Sequence, residues 1–273
     1  MKNARTSLAM VCLGAALLGA PAAFAQREGV DIGENSAFTR LVSAAEMEQV
    51  AEQQYRQVLR EAQQQGALAP ASNPQLQRLR VIAERIIPHA LDWNPRAKDW
   101  RWEVNLIGSK QINAWCMPGG KIAFYTGILS QLKLTDDEIA AVMGHEIAHA
   151  LREHARERAG KNAATNIGAS ILSQILGAGA IGQQVIGGGA QLLSLSFSRD
   201  NELQADLVGL ELAARAGYDP RAGITLWNKM SAASKGAPPQ WLSTHPAGRS
   251  RIAEIERNLP KVMPLYERAK RSS

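Results

Sequence analysis

The chain has 273 residues, 45% of them hydrophobic and 21% charged. At roughly 100 to 200 residues per domain this is one generous domain or two small ones, with enough apolar side chains for a core, which excludes a disordered or fibrous protein. Aromatic residues make up 5% of the chain and the formal charge is +6. That is thin for a nucleic-acid stacking surface or an all-β sandwich, and no nucleic-acid partner is expected.

Residues 1–25 combine a basic start (Lys2, Arg5), an apolar run over residues 8–20 and the small-x-small triplet Ala23-Phe24-Ala25. This is the form of a secretory signal peptide; the run is too short to span ~30 Å of hydrocarbon comfortably. Cleavage after Ala25 removes Lys2, Arg5 and Cys12, leaving 248 residues, a net charge of +4 and the single cysteine Cys116. With no internal disulfide, a packed core or a bound metal must hold the exported protein together. Cys116 reads as a small apolar strand residue.

Residues 26–35 are polar and Gly-containing, and a flexible leader is expected there. Leu41, Ala45, Val50, Tyr55 and Val58 recur near helical spacing, predicting a helix over 36–65 ended by Gly66; Asn73-Pro74 then opens a second that runs to about Ile87, with Pro88 as its stop. From Trp100 the texture changes. Trp102, Val104 and Leu106 alternate with polar residues, and strands over 111–117 and 121–125 flank the turn Pro118-Gly119-Gly120. After Gly127 the chain reads mostly helical. Residues 160–196 mix Gly with Ile, Leu and Ala, but Gln174, Gln183, Gln184 and Gln191 interrupt the apolar text, so a lid or a helical hairpin touching a membrane, a partner or substrate is expected rather than a membrane span.

The chemistry concentrates after Leu134. Thr135 with Glu138 forms a capping box, Asp136 and Asp137 suit the helix dipole, and the helix carries His145-Glu146-x-x-His149. Each residue turns ~100°, so histidines four apart lie ~40° apart and both imidazoles can meet one ion. Glu146 projects toward the open coordination side, where it can take a proton from an attacking water and pass it to the leaving amine. A catalytic zinc site needs a third protein ligand. Glu202, 53 residues after His149, is the candidate, and Asp206, four further on, would orient a ligand histidine from outside. His154 would lie about 140° round the helix from His149, facing away from the metal into solvent. His89 has no visible partner.

These residues resemble the gluzincin metalloendopeptidases of the HtpX, BepA and CAAX-prenyl-protease type, over about 104–255. The motifs run in order: Asn113-Ala114-Trp115 through Pro118-Gly119-Gly120, HEIAH at 145–149, Glu202 to Asp206 as an ExxAD element, Ala216-Gly217-Tyr218-Asp219-Pro220, and Ser243-Thr244-His245-Pro246 followed by Arg251-Ile252. The resemblance implies a mostly helical α+β, zincin-like fold with a small sheet beside the metal helix, in a soluble, exported, single-domain member whose catalytic domain covers 36–273. It implies one Zn2+, bound by His145, His149 and Glu202, and brings His245 into the site, to donate to the oxyanion or to fill the open metal position at rest. Asn113, Ala114 and Trp115 would bind substrate as a strand edge. Arg251 would contact substrate or pin the site's acids.

The expected function is zinc-dependent cleavage of unfolded or misassembled envelope proteins in the periplasm, with 160–196 as the segment that would contact a membrane or an envelope complex. The alternative is an envelope chaperone or assembly adaptor whose metal site is latent or structural.

Overall fold

The computed structural model describes residues 27–164, 192, 196–234, 239–245 and 249–272. Residues 1–26, where a signal peptide is expected, and most of the Gly-rich stretch, 165–191 and 193–195, lie outside the described residues. Within them no helix is long and apolar enough to cross a membrane.

A 3-10 turn at Ala37–Leu41 precedes helix α1, Ala44–Gln64. The predicted helix from residue 36 therefore starts late: Ser43 is extended, and its hydroxyl accepts from the Glu46 amide, a cap that fixes the first turn. Helix α2, Pro74–Ile86, begins as expected, with the Asn73 side chain accepting from Gln75 and Leu76 and Pro74 in the first turn, where no amide hydrogen is needed.

Strands β1 (Glu103–Ile107), β2 (Ala114–Met117) and β3 (Lys121–Tyr125) form one sheet in the order β1-β3-β2. Parallel β1 pairs Glu103 with Lys121, and antiparallel β2 pairs Ala114 with Phe124. The β2–β3 hairpin turns through Gly119 and Gly120 at φ of +85° and +76°, and a Cβ at Gly120 would press on the Trp102 ring at 2.7 Å, so both conformation and space require glycine there. β2 starts at Ala114 rather than near Gln111, because the preceding loop is bound to helix α3, Thr126–Gln131, through the Thr126 hydroxyl and the Gly127 amide at Ser109.

Helix α4, Asp136–Leu151, is buried along nearly its whole length, and its capping box is present as predicted. After α5 (His154–Ala164) come α6 (Arg199–Arg215), α7 (Ala222–Ala233), the short α8 (Gln240–Thr244) and α9 (Arg249–Arg271). α4 and α6 cross at Gly144 and Gly209, where a Cβ on Gly144 would stand 2.6 Å from the Gly209 carbonyl and one on Gly209 2.6 Å from the His145 amide. Only backbones without side chains come this close, and the contact sets the acids of α6 against the histidines of α4. The result is the expected mostly helical α+β, zincin-like arrangement.

The stretch 27–35, expected to be flexible, is docked. The Glu211 carboxylate is fully buried and accepts from the Val30 amide at 2.8 Å and from Arg27 at 2.7 Å, while Arg152 donates to the Gly33 and Glu34 carbonyls at 3.0 Å each. Polar composition suggested a leader in water; buried charges on α6 and after α4 instead use its backbone as their partner.

Candidate metal centre

His145, Glu146 and His149 lie together near the end of α4, all buried. α4 stops just beyond them, with Arg152 as its C-cap and Glu153 at φ +56°, and the chain reverses before His154 opens α5. His154 therefore does not continue the helical rotation. It is buried rather than solvated, with its Nδ1 2.9 Å from the His149 Nδ1, which corrects the sequence expectation. The break falls on a non-glycine residue, so no signal marked it.

Burial drives His149 well below the usual imidazole pKa of 6.5 and lowers His154 to about 4, so both rings are neutral near pH 7. His145 Nδ1 lies 3.1 Å from Asp206 Oδ1. Asp206 can only accept, so His145 donates from Nδ1 and keeps a lone pair on Nε2. Burial raises the Asp206 carboxyl, but Arg251 and His145 outweigh it and hold it below 3.8. Arg251 donates from Nε and Nη2 to Asp206 at 2.6 and 2.7 Å, and its Nη1 meets Glu202 Oε2 at 2.6 Å. Its guanidinium also lies over the Trp227 ring, 3.8 Å from the centroid. Of the two roles the sequence left to Arg251, this geometry is that of pinning the acids; substrate contact is not what a buried, fully engaged guanidinium offers.

Glu202 reaches the histidines from the first turn of α6, which is capped by Ser198 and Asn201. Its Oε1 is 3.4 Å from His149 Nε2 and 3.0 Å from His245 Nδ1. Burial raises its pKa, yet the facing imidazoles more than offset this and leave it well below the ordinary carboxylate range. His245, at the end of α8, enters the same group, with Nδ1 3.2 Å from His145 Nε2. Burial opposes a charge on His245, but Glu146 and Glu202 prevail and raise its pKa.

The sequence reading missed Trp241. Its indole nitrogen donates to Glu146 Oε1 at 2.6 Å, its ring stacks on His245, and its backbone amide bonds the Ile112 carbonyl. The signal available was its spacing, four residues before His245 and so on one face of a short helix. Phe197 likewise stacks on His149 at 4.0 Å.

A cleft beside this cluster is lined by Asn113, Ala114 and Trp115 of the β2 edge and by Glu146, His149 and His245. The Tyr125 amide bonds the Asn113 carbonyl, so by alternation Ala114 and Cys116 direct their backbone groups to the outer edge of the sheet, which pairs with no further strand among the described residues. The Asn113 side chain already accepts from the Ala114 amide. Trp115, expected at the substrate's edge, is buried with its indole edge-on to Tyr55, so it anchors the strand against α1.

His145, His149, Glu202 and His245 each offer one donor atom, all within 4.8 Å of one another. His145 Nε2 and His149 Nε2 stand 3.1 Å apart. Two imidazole Nε2 atoms turned toward each other and toward a carboxylate suit a divalent cation with nitrogen and oxygen ligands, so the residues fit a metal.

The sequence model of peptidase family M48 matches residues 72–259. The mitochondrial metalloendopeptidase OMA1 of Arabidopsis thaliana is 40% identical over 150 residues, 55% of this chain and 30% of that protein. OMA1 of Saccharomyces cerevisiae is 29% identical over 232 residues, 80% of this chain and 65% of the relative. The beta-barrel assembly-enhancing protease of Escherichia coli (strain K12) is 27% identical over 210 residues, 72% and 42% of the two chains. The chain thus spans less than two thirds of each relative's length. The motif resemblance leaned toward the HtpX and BepA branch, yet the plant OMA1 is matched at higher identity, so the likeness holds at the level of the family. With a histidine and glutamate cluster able to hold a metal on the helices that the family match covers, the chain belongs to peptidase family M48.

Proposed function

We propose that the chain is a metalloendopeptidase, that its metal is zinc and that it cleaves unfolded or misassembled proteins of a bacterial cell envelope, in the periplasm. The observation that carries the chemistry is the convergence of the His145 and His149 Nε2 atoms on the Glu202 carboxylate, with Glu146 alongside. Held by His145, His149 and Glu202, zinc would supply Lewis acidity toward a peptide carbonyl and a water. Glu146 accepts the proton of the attacking water and passes it to the leaving nitrogen; the Trp241 indole bond steadies its carboxylate for that task. Asp206 keeps His145 in the required tautomer, and Arg251 holds both acids in position.

His245 stands inside the ligand group, which supports its role as a fourth donor in a resting arrangement. On withdrawing, its imidazole is free to donate to the oxyanion that forms on the scissile carbonyl. An extended substrate would add to the β2 edge along 113–116, where Ala114 and Cys116 turn their backbone groups outward, so that backbone hydrogen bonds set the affinity and side-chain specificity is weak.

Glu146→Gln is expected to keep its zinc and to lose casein cleavage by about 10²–10⁴-fold. Wild-type-level cleavage by this variant would sink the mechanism. Export is supported by the signal-peptide form of residues 1–25, and the processed N-terminus of the expressed protein, read by sequencing, tests it; an unprocessed Met1 would remove the periplasmic assignment. Membrane contact through 160–196 is tested by fractionation. A second reading, an assembly adaptor with a latent site, is favoured by the same inward position of His245. Chelator-sensitive proteolysis by the wild type excludes it.

A further inference from the structure

We propose that His154 is a positioning residue for the metal, selecting the tautomer of ligand His149 through a hydrogen-bonded chain that runs from Arg152 through Gln204. The inference rests on the metal reading above and extends it to residues outside the ligand group.

Donor and acceptor roles along the chain follow from its outer end. Arg152 only donates, so the Gln204 atom 3.2 Å from its Nε is the oxygen. The same oxygen lies 3.4 Å from His154 Nε2, which must then carry the hydrogen. A neutral imidazole with hydrogen on Nε2 has its lone pair on Nδ1, and this atom faces His149 Nδ1 at 2.9 Å. His149 therefore donates from Nδ1 and presents the Nε2 lone pair to the ligand group. Arg152 is itself anchored on the Gly33 and Glu34 carbonyls, so the chain begins in the docked leader.

The two metal histidines are thus oriented by opposite means. His145 leans on a carboxylate held by a guanidinium; His149 leans on a neutral histidine held by an amide. The turn at Glu153 makes this possible, since it returns His154 to the side of the metal.

The test is zinc affinity of the metal-stripped full chain, measured by competition with a chromophoric chelator. His154→Leu removes the acceptor and is expected to weaken zinc binding 10- to 100-fold. His154→Asn puts an oxygen near the Nδ1 position and is expected to stay within about three-fold of wild type. Gln204→Met frees the tautomer choice and is expected to cost several-fold. Thermal unfolding of each metal-free variant separates packing from positioning. A Leu variant within two-fold of wild type overturns the proposal, as does an Asn variant that falls as far as Leu. Should the Leu variant not fold, a Gln204→Met variant equal to wild type overturns it. Wild type that takes up no zinc removes the metal reading itself, whereas unchanged variants remove only this inference.

Discussion

Helix α6 carries buried carboxylates at both ends, and they are satisfied in different ways. Near its C-terminus Glu211 receives the Val30 amide, Arg27 and Arg215, a complete set of donors. Near its N-terminus Glu202 faces imidazole nitrogens whose lone pairs also seek a positive partner, with Arg251 on its other oxygen. Burial is the same; the chemistry of the neighbours differs. A buried acid surrounded by donors ties the chain together, here closing the leader onto the fold, while a buried acid among acceptors is the signature of a cation site.

The contrast breaks most visibly at Glu211. Glu211→Ala leaves the Val30 amide without a partner and is expected to lower stability by roughly 3 to 4 kcal/mol with zinc affinity unchanged, measured by denaturant unfolding and chelator competition. A large loss of zinc affinity without loss of stability would erase the distinction between the two ends.

Acid separates the neutral outer partner from the charged ones. His154 takes up a proton near pH 6.5 in the unfolded chain and only near 4 in the fold, so its contribution is intact above 6.5 and lost as pH falls toward 4. The shift corresponds to roughly 3 kcal/mol for the metal-free protein. Against wild type, His154→Asn is expected to flatten the stability–pH curve over this window; parallel curves would contradict the assignment.

At the other end of α6, Glu202→Gln is expected to reduce zinc affinity by about 100-fold, or ~2.7 kcal/mol, while metal-free stability changes far less than in Glu211→Ala. The smallest effect is common to both ends. Ser198→Ala removes the cap of α6 and is expected to cost about 1 kcal/mol, visible in unfolding, with metal affinity within a few-fold.

Local signals carried far along this chain. Asn73-Pro74 and Thr135-x-x-Glu138 mark helix starts because a cap is made within one turn, and His145-Glu146-x-x-His149 puts two imidazoles on one face because helical rotation is fixed. The hairpin around Gly119-Gly120 is legible for the same reason. Ser43 was available as a cap too, and the helix drawn from residue 36 overran it.

What failed to show in the sequence depended on partners far away in it. His154 joined the centre because a non-glycine residue broke the helix, Trp241 because α8 lies against Glu146, and the leader because Glu211, 181 residues beyond Val30, needed its amide. The sequence by itself determined the family motifs, the donor residue types and the helix that carries the histidine pair, all set by residue chemistry and short-range geometry. Only the tertiary structure decided that Arg251 holds acids rather than substrate and that His245 stands within the histidine and glutamate cluster, because the partner of a buried charge is chosen by which elements pack against it.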